Sequence, residues 1–429
     1  MTPLTVREVA RVWAPLAASW ILMGLELPLA SAVVARLADP AIHLAAYGGV
    51  VLPVAMVIEA PIIMLLAAST ALCRDWSAYR LIRRFMLTTS GALTLLHALV
   101  AFTPLFDLLV GQVLRTPEPV REPARLGLKI MLPWTASIAY RRLHQGLLIR
   151  AGRSNEVGIG TLFRLGALTL VLTLTALVWR TSGIVAAASG VTAGVLAEAV
   201  YIGIRVRSIL RGPFRETTPT GAPLTFPAFL SFYVPLALTS LLHLLTMPIG
   251  AGALSRMPRP LESLAVWPVV SGLNSTVRSV GIAYNEVIVS LLDRPGAEVA
   301  LRRFALLLGA TTGSVLLLVA LTPLARGYFE GLSGLEPELA AMGATALLFA
   351  WPLPALGVAQ SWFQGHLVHA RRTRAIPEGV AFGLSAFALV LAAGAISGGV
   401  TGVYVGLGAT VAGQCAQVAW LRRRTQQLR

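Results

Sequence analysis

Apolar residues run along this chain in long blocks, separated by short polar stretches that hold most of its arginines. The blocks are about 20 residues or more, the length of helix that crosses a bilayer at about 1.5 Å per residue. The pattern predicts an all-α polytopic membrane protein of twelve helices, near 11–35, 44–72, 85–110, 125–149, 157–179, 183–205, 228–254, 262–291, 303–327, 338–369, 376–396 and 399–420. Connections between them are short, and none is large enough to hold a soluble catalytic domain. Prolines within the blocks (Pro28, Pro53, Pro61, Pro248 and Pro268) predict bends that free backbone groups.

Composition agrees with the pattern. Of 429 residues, 56% are hydrophobic and 13% charged, against roughly a quarter charged in a soluble domain. A net charge of +16 would suit nucleic acid, but its distribution argues for topology instead. With the N-terminus in the cytoplasm, one set of loops carries Arg74, Arg80, Arg83, Arg84, Arg150, Arg153, Arg205, Arg207, Arg211, Arg215, Arg302, Arg303, Arg371, Arg372 and Arg374. Arg7, Arg11 and the RRR of the tail lie on the same side. The opposite loops, ARLADP, SRMPRPLE and RGYFEGLSGLEPE, are near neutral or acidic. This positive-inside bias places both termini in the cytoplasm, and the composition points to a bacterial inner membrane. No nucleic-acid partner is expected. Lys129 is the one lysine, which reads as genomic bias. Cys73 and Cys415 are far apart and predict neither a disulfide framework nor a metal site. The first apolar run reads as span one rather than as a cleaved signal peptide.

The chain repeats itself. HQGLLIRAGR (144–153) corresponds to FQGHLVHARR (363–372) at an offset of 219, which also pairs Pro133 with Pro352, LIRRF (81–85) with ALRRF (300–304), and AEAVYIGIR (197–205) with AQVAWLRRR (416–424). In the first span the offset is 220: APLA (14–17) matches VPLA (234–237), and Pro28 and Arg36 match Pro248 and Arg256. Two lobes of six spans follow, residues 1–210 and 228–429, joined by a cytoplasmic linker at 211–227. Six spans per lobe give both lobes one orientation, related by an axis along the membrane normal.

Charges inside the blocks need a reason, since each costs about 2.5–3.5 kcal/mol on insertion scales. Arg141 and Arg142 lie about 13 Å in from Arg150, counted at 1.5 Å per residue. His144 shares the face of Arg141. Guanidinium forks suit phosphate and carboxylate, and the repeat replaces the two arginines by Gln360 and Ser361, so architecture does not demand them. An anion site at one or both, with His144 beside it, is expected; pairing with Glu198 or another carboxylate is the alternative. Glu198 matches Gln417 and otherwise reads as a helix-packing residue, and Arg164 as one that snorkels. Glu59 matches Arg278, so equivalent positions in spans two and eight carry opposite charge. An inter-lobe ion pair that opens and closes is one reading, partners within each lobe the other. Asn274, Arg278, Gly281 and Asn285 form a polar stripe on span eight, with Glu286 beside it, fitting a cavity wall or interhelical hydrogen bonds. Glu26, just before Pro28, is a candidate coupling carboxylate or a neutral support for the kink. His97 and His243 read as structural. No phosphate-binding glycine loop or ATP-hydrolysis motif is present, so no cofactor and no primary active transport are expected.

FYVPLALTSLLHLLTMPIGAGALSR, LAAYGG, IEAPI and HQGLLIR resemble the membrane region of the progressive ankylosis proteins. Those belong to the multidrug/oligosaccharidyl-lipid/polysaccharide (MOP) exporter superfamily, with two six-helix lobes around a V-shaped cavity. The resemblance implies export of small anions, with pyrophosphate, ATP and citrate the associated substrates. Glu26 and the LAAYGG turn region fit that pattern, whereas Arg141 and Arg142 match no family motif.

The leading expectation is a secondary exporter or facilitator of a small organic or phosphate-bearing anion. Arg141, Arg142, His144, Arg278, Asn274 and Asn285 would meet the substrate. Glu26, Glu59 and Glu286 would couple or gate, with a proton or sodium ion as coupling ion. A monomer in the bilayer is the expected assembly. A flippase for an anionic lipid-linked precursor is the rival, and a cation-coupled multidrug antiporter the third reading. A membrane-embedded enzyme would need clustered His, Asp or Glu near one membrane face, and the loops do not supply it.

Overall fold

The computed structural model describes residues 4–216, 223–370, 372 and 374–427. Residues 217–222 of the expected linker and Arg371 of the basic loop lie outside the described residues. Among the described residues there is no strand; the chain is a succession of helical rods. These are α1 Val6–Val34, α2 Pro40–Leu72, α3 Trp76–Phe102, α4 Glu118–Ile130 continued by Leu132–Arg150, α5 Asn155–Val178, α6 Gly183–Leu210, α7 Phe226–Leu254, α8 Pro260–Leu291, α9 Ala297–Leu321, α10 Pro337–His369, α11 Ala375–Ser397 and α12 Gly402–Gln426. Nine are long and apolar enough to cross a membrane. The three that fall short, α4, α8 and α12, are the rods that carry Arg141 and Arg142, Arg278, and Gln414 with Gln417. Loss of hydropathy marks where polar side chains have been placed inside the protein.

Several rods break just ahead of a proline, which removes a backbone donor, whereas α8 runs unbroken through Pro268, where a bend was expected. α1 breaks at Leu25, three residues before Pro28, and α7 at Leu245, three residues before Pro248. α4 breaks at Met131 before Pro133, and α10 between Ala350 and Leu353, at Pro352. α2 contains a π-turn at Ala45–Val51, directly ahead of Pro53, in which the Leu52 amide donates to the Tyr47 carbonyl. The LAAYGG stretch expected as a turn region is therefore helical: the glycines sit in the widened turn and the rod continues through it. Asp75 starts α3 by accepting from the Ala78 amide at 2.9 Å. Burial works to raise its pKa, but hydrogen bonds from Ser77 and Ala78 outweigh it and leave the carboxyl below its usual range.

Two compact units form, one from Leu37 to Pro248, the other joining the chain up to Arg36 with that from Ile249 onward. These units are not the expected repeat lobes 1–210 and 228–429: they group α1 with the second half of the chain and α7, as far as Pro248, with the first. Side-chain bonds account for this. On α1, the Trp13 indole donates to the Val280 carbonyl at 2.9 Å, and the Thr276 hydroxyl of α8 donates to the Gly24 carbonyl at 3.0 Å, beside the break. On α7, Tyr233 donates to the Pro61 carbonyl of α2 and packs edge-on against Phe85. Both units contain the same close crossing. A Cβ on Gly146 would come within 1.8 Å of the Ser69 hydroxyl and 2.5 Å of the Leu66 carbonyl; one on Gly365 would meet Ile288 at 2.7 Å. The recurring Gln-Gly is thus an architectural requirement, because small residues let rods approach closely.

Candidate functional site

Each unit gathers its buried polar side chains where three rods converge. In the Leu37–Pro248 unit these are α2, α4 and α6. Glu198 of α6 is fully buried and makes an ion pair with Arg141, which is 3% exposed; Gln145 donates to its other oxygen at 2.8 Å. Arg164 of α5 reaches the same carboxylate at 3.8 Å and lies 6.0 Å from the centre of the Trp134 ring. Trp134 in turn donates its indole N–H to Glu59 of α2. Arg142 is turned away from this pair, because neighbouring helix positions point about 100° apart. Among the described residues none accepts a hydrogen bond from Arg142, and its Nε is buried without a partner. Arg142 lies near enough to Glu59 for the two charges to interact. Three guanidiniums therefore surround two carboxylates.

In the other unit the rods are α8, α10 and α12. Arg278 donates to the side-chain oxygens of Gln360 at 3.2 Å and Gln414 at 3.1 Å, and Gln414 donates to Gln360. Among the described residues no carboxylate pairs with it. The offset of 219 maps Glu59 onto Arg278, Arg141 onto Gln360 and Glu198 onto Gln417. The two units thus build the same three-rod junction with different charge: an ion-pair network in one, a guanidinium held by neutral amides in the other.

Some expected assignments change. Arg141 belongs to Glu198, so its charge is internally compensated. His144 is also spoken for: Nδ1 lies 2.7 Å from the Tyr140 carbonyl and Nε2 3.3 Å from the Tyr79 hydroxyl. A carbonyl can only accept, so Nδ1 carries the proton, and Nε2 is left to accept from Tyr79. That neutral imidazole has no proton to offer an anion. Glu59 and Arg278 each find their hydrogen-bond partners within their own unit. Asn274 is buried and Asn285 half-buried, and the side-chain oxygen of each is unpartnered among the described residues. Glu286 is exposed. Glu26 opens the second segment of α1, where the helix dipole favours a carboxylate. His97 is buried against Leu128 and Thr135, as a structural histidine. Sequence reading passed over Trp134, Gln145 and Gln414, and ranked Arg164 low. Mapping every residue near Glu198 through the repeat would have found most of this set.

Cys73 is buried, and burial pushes its thiol up to about 12, which leaves it inert as a nucleophile. Among the described residues no group of three or more His, Cys, Asp or Glu could hold a metal ion.

No protein-family model matches the chain, and no curated protein sequence matches it significantly. Solved structures match over nearly all of it. An inward-facing multidrug resistance MATE family transporter of the MOP superfamily superimposes with a TM-score of 0.72 over 97% of this chain and 98% of that one, at 15% identity. The chain has the MATE-like fold. Lipid II flippase MurJ, in an inward closed conformation, follows with a TM-score of 0.68 at 13% identity, covering 96% of this chain and 87% of that one. A MOP superfamily transporter from Pyrococcus furiosus gives 0.60 at 16% identity, over 99% and 96%. At these identities the likeness is one of fold. The resemblance to the ankylosis proteins broadens to this MATE-like fold, which accounts for the six-rod repeat and the polytopic membrane character.

Proposed function

We propose that this protein is a secondary transporter that exports or facilitates a small organic or phosphate-bearing anion by alternating access. It would work in a bacterial inner membrane with both termini cytoplasmic. The observation that carries the reading is the local charge at the two junctions. A guanidinium inside a membrane protein needs a counter-charge, yet among the described residues Arg278 meets only glutamine oxygens and Arg142 has no hydrogen-bond acceptor. A bound anion would supply what is missing, through the bidentate geometry that guanidinium favours. A cation carrier would be expected to show the opposite surplus. Of the Pyrococcus furiosus transporter, a reversed polarity of the binding pocket has been taken to suggest a different function, which supports variable polarity on this fold. Glu59, bound by Trp134 and facing Arg142, is placed to exchange a proton as substrate comes and goes; Glu26 is the second candidate for coupling. The ankylosis-like substrate set, pyrophosphate, ATP and citrate, belongs with this proposal.

Efflux from proteoliposomes loaded in turn with pyrophosphate, ATP, citrate and a cationic dye tests it. Arg278→Gln and Arg142→Gln should each slow anion efflux by about tenfold, corresponding to about 1.4 kcal/mol, with the protein still folded. Release of the dye alone, indifferent to both substitutions, would overturn the anion reading. The likeness to MurJ favours a second reading, an anionic lipid-linked substrate. It predicts inward-outward transfer of a fluorescent anionic lipid, measured by dithionite quenching, in the absence of small-anion efflux.

A further inference from the structure

Apart from the junctions, the unit containing α8 to α12 has a cavity of about 760 Å³ where α9, α10 and α12 meet. α10 presents two different faces. Gly357 and Gly365 point at Arg278 and Ile288 of α8, whereas Ala355, Ala359 and Trp362, on the other side of the same rod, line the cavity. Arg302 of α9 and Arg422 of α12 stand at one end of it. That end is common to the start of α9 and the finish of α10 and α12, as alternating rods require. Gly309 and Ala310 continue the wall about 10–12 Å further along α9, at 1.5 Å per residue. The result is an apolar trough floored by small side chains and closed at one end by two guanidiniums. Arg302, Ala310 and Arg422 are exposed, so the trough is reachable from outside.

The charge at the closed end is not cancelled. Glu298 lines the same end, but His366 lies 2.9 Å from its carboxylate while its other nitrogen lies 2.8 Å from the Trp362 carbonyl. Against this one carboxylate stand two guanidiniums, so the end keeps a surplus of positive charge. Arg302 and Arg422 make no ion pair or hydrogen bond with a described residue. A surplus of positive charge therefore stands at one end of an apolar slot, which complements one kind of molecule, with a phosphate at one end and a hydrocarbon chain behind it.

We propose that this cavity binds one anionic phospholipid, with its phosphate on Arg302 and Arg422 and an acyl chain along Gly309, Ala355 and Ala359. The site is distinct from the three-rod junctions and does not depend on which substrate they carry. Trp362 in its wall provides the probe. In phosphatidylcholine proteoliposomes, phosphatidylglycerol brominated on its acyl chains should quench tryptophan emission beyond what brominated phosphatidylcholine achieves at the same mole fraction. Trp362→Phe should remove that excess, which separates it from the other indoles. The apparent preference for the anionic lipid should be about thirtyfold, the order expected of two arginines at about 1 kcal/mol each. It should disappear in Arg302→Ala/Arg422→Ala and in Ala310→Trp, which blocks the trough from its exposed wall. Equal quenching by the two lipids, or an excess that survives Trp362→Phe, would overturn the proposal. So would loss of the excess on adding inorganic phosphate, which would assign the arginines to the free ion.

Discussion

Arg141 and Arg142 are adjacent in sequence and have opposite fates. Only the azimuth of α4 separates them: one side chain is delivered into a buried pair with Glu198, the other is left beside Glu59 without a hydrogen-bonding partner among the described residues. Removing Arg141 strands a carboxylate that is 1% exposed, and breaking a buried pair from one side costs about 3–5 kcal/mol. Arg141→Ala should therefore lower the unfolding midpoint in detergent sharply. Arg142→Ala, which removes no hydrogen bond, should stay within about 1 kcal/mol of the parent while slowing anion efflux. Equal destabilisation by both would show that Arg142 is also a structural cation. The sequence showed that this pair was unusual, because the repeat replaces both residues. It could not show which was free, since that depends on how α4 is turned against α6.

At the scale of the helical rod much was visible in advance. Prolines announced the breaks in α1 and α7, whereas Pro133 and Pro352, paired by the repeat, were not expected to bend their spans and yet mark the breaks in α4 and α10. The π-turn of α2 was not visible, since glycines ahead of a proline read equally well as a turn; neighbours on both sides decide that the rod continues. The shared Gln-Gly shows a similar limit. Sequence gave its recurrence, while the structure gives its cause, and the cause differs in severity between copies. A methyl group on Gly146 meets a hydroxyl and a backbone carbonyl that cannot move independently; on Gly365 it meets Cγ2 and Cβ of Ile288 at 2.7 and 2.8 Å, a stiff β-branched side chain but no backbone atom. Overpacking costs about 1–3 kcal/mol. Gly146→Ala should thus fall at or beyond the upper end of that range and Gly365→Ala within it, by thermal unfolding of the purified variants. The reverse order would mean that α2 gives way more readily than α8.

For the whole molecule, the 219-residue repeat revealed two halves of six rods but not the membership of the compact units. α1 and α7 are equivalent under the repeat, so exchanging their packing partners leaves no trace in the sequence; only bonds such as Trp13 to Val280 and Tyr233 to Pro61 record it. The same symmetry made Glu59 and Arg278 look like a natural ion pair, since equivalent positions carry opposite charge. Their hydrogen bonds suggest a different logic. Glu59 is held by Trp134, Arg278 by Gln360 and Gln414, each within its own unit. The two junctions have diverged into an ion-pair network in one unit and a guanidinium held by neutral amides in the other; under the proposed function the first would handle protons and the second bind the anion. Groups with no shared partner add to within about 0.3–0.5 kcal/mol. Glu59→Gln and Arg278→Gln, alone and combined, should therefore have additive effects on unfolding free energy. Their transport phenotypes should also differ in kind: Glu59→Gln should alter the pH dependence of efflux, and Arg278→Gln the substrate affinity. A stability coupling well above that range would restore the direct ion pair and make gating, rather than division of labour, the reason for the opposite charges.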